Sequence, residues 1–335
     1  MPDQRFLLLR LSSLGDVIHT IPAAAALRET FPDARIDWVI DPKYTRLLEA
    51  NPAIDEVIPL DRKSVGDIVS TVHQLRATHY SCAIDFQSLY KSALLSFASG
   101  APRRIGFERA YAREGLAAFF YTDRLSPRGA HKVDHNLSLA EGAGARKMRL
   151  LHFSLLIRTE DDDSAEHELA SAGLSSFFVL HPGGGWISKC WPPDRYAALH
   201  QRLAERYGWR GIVSYGPGEE RLAGDIVRAA GNPAPVAMSL SLGPLMALLR
   251  RAKFFVSADT GPLHLASALS APVVGLYGPT DPARNGPYSN AGIVIRNPQS
   301  CLTSYRRGAS YSAAMLSITV DQVLEAISRL PGLQP

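Results

Sequence analysis

The chain of 335 residues has few of the features that mark secreted, metal-binding or membrane-spanning proteins. Its three cysteines, Cys82, Cys190 and Cys301, are odd in number and widely spaced, with neither a metal-ligand spacing nor a disulfide framework, which indicates a reducing compartment. The polar N-terminus leads directly into a strand pattern and shows no signal peptide. No run approaches the roughly 20 apolar residues that span a bilayer. We therefore expect a cytoplasmic protein.

Two common nucleotide-binding motifs are also missing. The chain has neither the dinucleotide pattern G-x-G-x-x-G followed by an acid nor the phosphate-binding pattern G-x-x-x-x-G-K-[ST]. A nucleic-acid partner is not expected, because no binding motif is recognisable and the basic residues are not interleaved with aromatic side chains that stack on bases.

Positive charge is concentrated in one segment. The net charge of the chain is only +4, yet residues 101–150 carry ten Lys or Arg side chains against five Asp or Glu side chains. Such a segment attracts anions and predicts an anionic partner. A solvated basic surface without a ligand explains the charge about as well.

Length and hydrophobic patterning predict two α/β domains, since one domain usually takes about 100–200 residues. Short apolar runs alternate with helical patterns in the first half, which is typical of βαβ units and a parallel sheet. The runs lie at 6–11, 36–40, 56–60 and 82–86. A second alternation begins with the run 177–180.

The predicted domains are 1–163 and 164–335, with the polar stretch 159–164 as the linker. Residues 103–130 are less regular and predict an insertion or loop. The closing helix, 320–330, opens with a capping box from Thr319 to Gln322 and is a candidate to pack back on the N-terminal domain.

The stretch that says most about function runs from Arg10 to Thr20. A buried-strand pattern precedes it, and an alanine-rich helix pattern follows it. Ligands of open α/β sheets bind where strands turn into helices. Asp16, with a glycine before it and His19 three residues later, is therefore a candidate general base. His19 is interpreted more simply as a core or capping histidine.

The second half contains two patterns that favour phosphate binding. Gly183, Gly184 and Gly185 follow a strand, where glycines let backbone N–H groups approach a phosphate, and Lys189 lies just beyond. The run Asp259-Thr260-Gly261-Pro262-Leu263-His264 predicts a helix start, and helix starts bind anions. The simpler alternatives are a mobile loop and a well-capped helix with a core histidine.

Other strand ends supply weaker candidates. Glu219 could accept hydrogen bonds from ribose hydroxyls, or could simply favour the first turn of a helix. Cys190 is interpreted as a small filler residue. A surface for an anionic acceptor would combine side chains that are individually explained as ordinary surface residues: Gln87, Lys91, Arg104, Arg109 and Arg113.

In their order along the chain these motifs resemble those of glycosyltransferase family 9, the ADP-heptose:lipopolysaccharide heptosyltransferases. The similarity extends over essentially the whole chain and is greatest to the type I members, which add the first heptose to Kdo on lipid A. The segments that carry it are 12–20, 85–92 with 112–114, and 259–264 with 277–282. The resemblance implies the GT-B fold, an α/β architecture of two Rossmann-like domains whose parallel sheets face each other across a cleft. Domain 1–163 would bind the acceptor, and domain 164–335 would bind the nucleotide sugar.

The resemblance also implies site residues. Asp16 matches the family's catalytic carboxylate, Lys189 its diphosphate-binding lysine and Glu219 its ribose-binding acid. The rest of the nucleotide-sugar site would comprise Gly183, Gly184, Gly185, Leu240 against the adenine, Asp259, Thr260, Gly261 and His264. Acceptor contacts would come from Ser13, Gly15, Arg62, Lys63, Gln87, Lys91 and Arg113.

One departure from the type I pattern lies in the diphosphate loop. Gly183 and Gly184 stand where type I members can carry two threonines, and one extra residue precedes Lys189. Backbone amides are expected to replace the missing hydroxyls.

The expected function is an inverting transfer of heptose from ADP-heptose to the anionic Kdo-lipid A core. It would need no metal or other cofactor and would involve peripheral contact with the cytoplasmic face of the inner membrane. Three alternatives stay open: a GT-B nucleotide-sugar 2-epimerase, a heptosyltransferase acting on a protein or another glycan, and a non-catalytic nucleotide-binding protein. An epimerase needs no acceptor, so it would leave the basic segment without a purpose.

Overall fold

The computed structural model of the chain describes residues 4–147, 153–288, 292–297 and 308–333. Contacts between residues divide the chain into an N-terminal unit, Met1–Leu156, and a C-terminal unit, Ile157–Pro335. Cys82 and Cys190 are buried thiols, and Cys301 lies outside the described residues.

The N-terminal unit is built on a parallel sheet of six strands. The strands are β1 (Arg5–Leu9), β2 (Arg35–Ile40), β3 (Glu56–Pro59), β4 (Cys82–Asp85), β5 (Arg103–Phe107) and β6 (Asp123–Leu125). The helices are α1 (Leu14–Ile18), α2 (Ile21–Thr30), α3 (Val65–Thr78), α4 (Tyr90–Ala98) and α5 (Lys132–Gly142), with 3₁₀ helices at Pro42–Leu47 and Gly115–Phe120. The sheet order is β3-β2-β1-β4-β5-β6.

The middle of this sheet explains the apolar run at the start of the chain. Leu7, Leu8 and Leu9 of β1 are inaccessible to solvent, as expected for a strand inside a parallel sheet that is covered on both faces. On β2 the indole of buried Trp38 donates to the carbonyl of Arg10 at 2.9 Å. That bond fixes the loop that leaves β1.

The C-terminal unit has the same architecture, a six-stranded parallel sheet with helices. Its strands are β7 (Phe177–His181), β8 (Arg210–Ser214), β9 (Val236–Met238), β10 (Phe255–Ala258), β11 (Val273–Leu276) and β12 (Gly292–Ile295). Its helices are α6 (Thr159–Ser171), α7 (Pro193–Tyr207), α8 (Glu220–Ala229), α9 (Leu242–Arg251), α10 (Gly261–Ala268), α11 (Pro282–Asn285), α12 (Ala313–Leu316) and α13 (Val320–Ser328), with a 3₁₀ helix at Ile187–Lys189. The parallel sheet has the order β12-β11-β10-β7-β8-β9, which becomes the order of the first sheet when its strands are counted from β7.

The closing helix α13 packs within the C-terminal unit. The Thr319 hydroxyl accepts the N–H of Gln322 while the Gln322 side chain accepts the N–H of Thr319, so the predicted capping box is present. Val323 and Ile327 are fully buried in the same core as Trp191. Helix α13 therefore packs on its own unit, against α7 and strands β11 and β12.

Two predictions of irregular structure are wrong. Residues 103–130 contain β5 and β6, because Ile105 and Phe107 are buried while the neighbouring arginine heads are held by an acid or by carbonyl groups. The stretch 159–164 opens helix α6, whose Asp162 pairs with Arg251 of α9 at 2.7 Å. The predicted boundary at 163/164 thus falls inside a helix, and the division between units lies between Leu156 and Ile157.

The length and polarity of the helices show whether any of them could cross a membrane. Within the described ranges, the helices are all too short or too polar to cross a bilayer.

Candidate functional site

Both sheets reverse their strand order beside the first strand of the unit. Strand β1 lies between β2 and β4, and β7 lies between β8 and β10. In open α/β sheets, loops at the carboxyl ends of the strands at such a reversal form ligand sites. The loops after β1 and β4 and the loops after β7 and β10 carry most of the candidate residues.

In the N-terminal unit, Asp16 occupies the first turn of α1, directly after the loop that leaves β1. Ser13 is the N-cap residue, and its hydroxyl donates to Oδ2 of Asp16 at 3.0 Å. Gly15 lies between Ser13 and Asp16 in the sequence. It is buried and belongs to the first turn of the same helix. The local geometry therefore fixes the carboxylate at the carboxyl end of the sheet.

Two cations meet the Asp16 carboxylate. Nζ of Lys132, at the start of α5, lies 2.6 Å from Oδ1, and a guanidinium nitrogen of buried Arg10 lies 4.0 Å from the same oxygen. Burial by itself would raise the pKa of Asp16, but Lys132 and Arg10 hold that pKa well below its usual range. The carboxylate is therefore ionised at neutral pH.

The side chain of Gln87 stabilises the loop after β1. Its Oε1 accepts the N–H groups of Leu11 (3.0 Å) and Ser12 (3.3 Å), so it holds the loop in front of Asp16. Asp85 lies just before it and is fully buried, and burial raises the pKa of Asp85. The Asp85 carboxylate accepts from the Tyr121 hydroxyl at 2.7 Å.

The other candidate acceptor residues are exposed cations. Arg113 is close enough to Arg10 to lower the pKa of that buried guanidinium, after the larger effect of burial. Lys63 and Lys91 are also exposed, and Arg62 pairs with Asp41 at 3.2 Å. Arg113 is thus linked electrostatically to Arg10, which itself faces Asp16.

The C-terminal unit has a buried ionic array at the carboxyl ends of β7 and β10. Nζ of Lys189 lies 2.9 Å from Oδ2 of Asp259, and Nε2 of His264 lies 3.2 Å from Oδ1. Burial would raise the pKa of Asp259, but the His264 hydrogen bond and Lys189 lower it strongly. The Lys189 ammonium also lies 4.5 Å from the centre of the Trp186 ring, a cation–π contact.

Helix α10 starts beside this array. Thr260 is its N-cap residue and Gly261 its first residue, but the Thr260 hydroxyl bonds Ser257 at 3.0 Å instead of capping the helix. The positive end of the helix dipole therefore lies next to Lys189, where an anion would be stabilised.

The glycine loop after β7 is shaped by its neighbours. A Cβ on Gly183 would overlap the carboxylate of Glu219, and a Cβ on Gly184 would lie 2.8 Å from Sγ of Cys190. Gly185 has open space at the same position. Burial raises the pKa of the Cys190 thiol to about 11, which fits a packing role better than a nucleophilic one.

Glu219 and Leu240 follow β8 and β9 at the same edge of the sheet. Oε2 of Glu219 accepts the N–H of Gly216 at 2.8 Å, and the side chain keeps a quarter of its surface exposed. Leu240 is half-buried in the loop between β9 and α9. The structure therefore collects the donor-site candidates along one edge of the second sheet.

Three residues around the candidate sites were not anticipated from the sequence: Arg10, Lys132 and Trp186. Arg10 lies inside the stretch that was singled out, and its burial beside a carboxylate is visible only in the fold. Lys132 is 116 residues from Asp16. Trp186 stands between the glycines and Lys189, where an aromatic next to a lysine is a signal that could have been used.

Comparison with known proteins identifies the family. The sequence model of glycosyltransferase family 9 (heptosyltransferase) matches residues 68–314. Lipopolysaccharide heptosyltransferase 1 of Pseudomonas aeruginosa is 32% identical over 321 residues, covering 92% of this chain and 88% of that protein. The enzyme of the same name from Escherichia coli K12 is 29% identical over 321 residues, covering 89% and 95%.

Solved structures of family 9 enzymes also match this chain. The Escherichia coli heptosyltransferase WaaC with ADP superimposes with a TM-score of 0.78 at 27% identity, covering 97% of this chain and 99% of that one. The family 9 glycosyltransferase of Veillonella parvula gives a TM-score of 0.84 at 26% identity, covering 97% of each chain. The expected GT-B fold is confirmed, and the chain belongs to glycosyltransferase family 9, the heptosyltransferases.

Proposed function

We propose that this heptosyltransferase moves a heptose from ADP-heptose to the Kdo-lipid A core of lipopolysaccharide, with inversion at the anomeric carbon. The relatives from Pseudomonas aeruginosa and Escherichia coli are named lipopolysaccharide heptosyltransferases. WaaC has been solved with ADP and with an ADP-heptose analogue. The proposal extends these ligands to the present chain.

The observation that carries the donor assignment is the buried array of Lys189, Asp259 and His264 at the start of α10. A lysine ammonium has three donors, so it can keep Asp259 as one partner and still bind a diphosphate oxygen. The helix start and the amides of the glycine loop add positive potential at the same edge. As the bond between the anomeric carbon and the diphosphate breaks, these groups would neutralise the charge that develops on the departing diphosphate.

Glu219 is assigned to the ribose of the donor. Its carboxylate lies against the backbone of Gly183 and keeps part of its surface exposed. A carboxylate in that place can accept from both ribose hydroxyls. Leu240, half-buried one strand further along, is assigned to the adenine face.

Asp16 is assigned as the general base. The family match does not extend to it, so the assignment rests on its fixed position, its ionised state and the resemblance of the surrounding motif. Its carboxylate would take the proton of the acceptor hydroxyl while that oxygen attacks the anomeric carbon and the bond to the diphosphate breaks. One such displacement inverts the anomeric configuration.

Positive charge around Asp16 supports an anionic acceptor. Arg10 and Lys132 both face its carboxylate, and Arg113 lies within the electrostatic range of Arg10. A sugar acid such as Kdo would bring a carboxylate that these cations can bind.

The function is tested by incubating the protein with ADP-heptose in the presence and absence of Kdo-lipid A. We expect ADP release and a lipid heavier by one heptose, and no conversion of the donor alone. An isomeric nucleotide sugar formed without acceptor would indicate an epimerase. Transfer to a protein or another glycan in place of the lipid would change the acceptor, and donor binding without turnover would indicate a non-catalytic protein.

The ion pair at the base leads to a prediction about pH. In Lys132→Met, the acid limb of the pH profile of kcat/KM should move to higher pH. Asp16 must be ionised to accept a proton, so activity falls as the pH drops through its pKa. Without Lys132 the effect of burial is opposed less, the pKa rises, and activity is lost at a less acidic pH. Lys132→Arg, which keeps the charge, should leave the limb near its original position. An unmoved limb in Lys132→Met would show that another group titrates.

The glycine loop gives a second prediction with a matched control. Gly183→Ala should raise the KM for ADP-heptose about tenfold, because the new methyl group displaces the Glu219 carboxylate and one charged hydrogen bond is worth roughly 1.5–3 kcal/mol. Gly185→Ala, which meets open space, should change the KM less than twofold. Steady-state kinetics with varied donor measure both, and equal effects would contradict the assigned contact.

A further inference from the structure

The N-terminal unit exposes large apolar side chains on α4 and on the 3₁₀ helix that contacts it. On α4 the side chains of Tyr90, Leu94 and Phe97 follow the spacing i, i+4, i+7, which places them on one face of the helix, and all three are exposed. On the neighbouring 3₁₀ helix Gly115–Phe120, Leu116 is 59% exposed and Phe119 is 65% exposed. We call these five side chains the aromatic patch.

The two parts of the patch are packed together. The ring of Phe120 lies 5.4 Å from that of Tyr90 and 5.9 Å from that of Phe97, both edge to face. The small residues beneath, Ala117 and Ala118, are buried. A large exposed apolar surface held on a rigid base is unusual for a protein that stays free in water and marks a binding surface.

Arginines surround the patch. The Arg104 guanidinium lies 5.5 Å from the centre of the Phe97 ring and donates to the carbonyl of Phe120 at 2.8 Å. Arg124 donates to the carbonyl of Ala118 at 2.8 Å. Arg109 and Arg124 line an open pocket of about 510 Å³ beside Phe119.

These three arginines keep their full charge. Arg104 and Arg124 donate to main-chain carbonyls, and within the described part of the chain none of the three forms an ion pair. Asp123 of the same segment pairs with Arg103. Two acids lie at the patch itself: Glu114 accepts the N–H of Tyr90, and Glu108, which accepts from the Ser126 hydroxyl, lines the same pocket as Arg109 and Arg124. With three arginines against these two acids, the patch is apolar at its centre and has a net positive charge at its rim.

We propose that the aromatic patch docks the protein on a bilayer surface that carries anionic headgroups. Aromatic and leucine side chains enter the boundary between headgroups and acyl chains, and arginines around them bind lipid phosphates. An anionic lipid surface complements both features, with acyl chains against the apolar centre and phosphates against the arginines. The inference rests on this surface and not on the reaction, although a membrane-anchored acceptor would suit it.

Vesicle flotation tests the proposal on the full chain. The wild type should float with vesicles of phosphatidylcholine and phosphatidylglycerol, and much less with vesicles of phosphatidylcholine alone. In Leu116→Ser/Phe119→Ser the partition coefficient should fall at least about tenfold, since burial of each side chain contributes to binding. In Arg109→Gln it should fall about fivefold, the effect of one arginine near an anionic surface.

Two control variants carry the same chemical changes at other places. Val65→Ser/Val69→Ser removes two apolar side chains of α3 that are 75% and 51% exposed, and Arg221→Gln removes an exposed charge of the C-terminal unit. Both should float like the wild type. Thermal unfolding at the wild-type midpoint shows that each variant is folded.

Several results would overturn the proposal. One is a wild-type protein that floats with neither kind of vesicle, or equally well with both. Another is a patch variant that binds vesicles as well as the wild type and the control Val65→Ser/Val69→Ser do. If the wild type instead forms a dimer that Leu116→Ser/Phe119→Ser separates, without any vesicle binding, the patch is an interface between copies and the bilayer assignment is wrong. None of these readouts involves heptose transfer, so they are independent of the proposed function.

Discussion

Replacing Asp16 by asparagine should lower kcat for heptose transfer by about 10²–10⁴-fold, the usual contribution of a general base. Asparagine nearly matches the shape of aspartate, so it can still accept from Ser13, but its amide cannot take a proton from an attacking hydroxyl. The dissociation constant of ADP should change less than twofold, because the donor-site residues belong to the other unit. Steady-state kinetics and calorimetric titration with ADP measure the two quantities.

The matched control is Asp37→Asn. Asp37 is a fully buried carboxylate of the same unit that pairs with Arg35 at 2.8 Å and accepts from Tyr80 at 2.6 Å. Its loss should lower the thermal unfolding midpoint while kcat per folded molecule stays within a few fold. If Asp16→Asn keeps more than a tenth of the wild-type kcat, or if Asp37→Asn loses as much, the assignment of Asp16 as the base is wrong.

Replacing Lys189 by methionine should weaken ADP binding about 10²-fold. Truncation of one partner in a buried, hydrogen-bonded charge pair typically costs roughly 2–5 kcal/mol, and every 1.4 kcal/mol is tenfold in affinity. Here the diphosphate would lose its ammonium partner, and Asp259 would keep only His264. Calorimetric titration with ADP measures the loss.

Stability has to be followed in the same variant, because Lys189→Met leaves Asp259 less well paired in a buried place. Lys253→Met is the matched control: Lys253 also places its ammonium over an aromatic ring, 5.7 Å from the centre of Trp209, in the same unit. It should bind ADP like the wild type. A Lys189→Met protein that unfolds at the wild-type temperature and binds ADP with unchanged affinity would remove the diphosphate assignment.

The parts of the site that are contiguous in sequence could be predicted, and the parts that the fold assembles could not. Asp16 follows a strand by a few residues, and Asp259 to His264 form one helix start, so strand-end reasoning proposes them as candidates. Lys132 reaches Asp16 from the start of α5, and no periodicity of the sequence predicts a contact over that distance. Burial, which changes the pKa of Asp16 and Asp259, is likewise a property of the assembled units.

The fold shows the same division. Strands with apolar runs, such as β1 and β7, were predicted to within two residues at each end, because strands in the middle of a parallel sheet must be apolar on both faces. Strands β5 and β6 were missed because they are short and carry arginines whose heads bind carbonyls and an acid at the sheet edge. Helix α6 was mistaken for a linker because its first turn is acidic, although acidic side chains are favourable at the N-terminal end of a helix.

The central claim is that a single displacement, with Asp16 as the proton acceptor, joins the acceptor oxygen to the anomeric carbon of the donor. The anomeric configuration of the transferred heptose, determined by NMR of the product beside that of ADP-heptose, tests this most directly. The account predicts the opposite configuration in product and donor. Retention of the donor configuration would require two successive displacements or attack on the same face, and would contradict it.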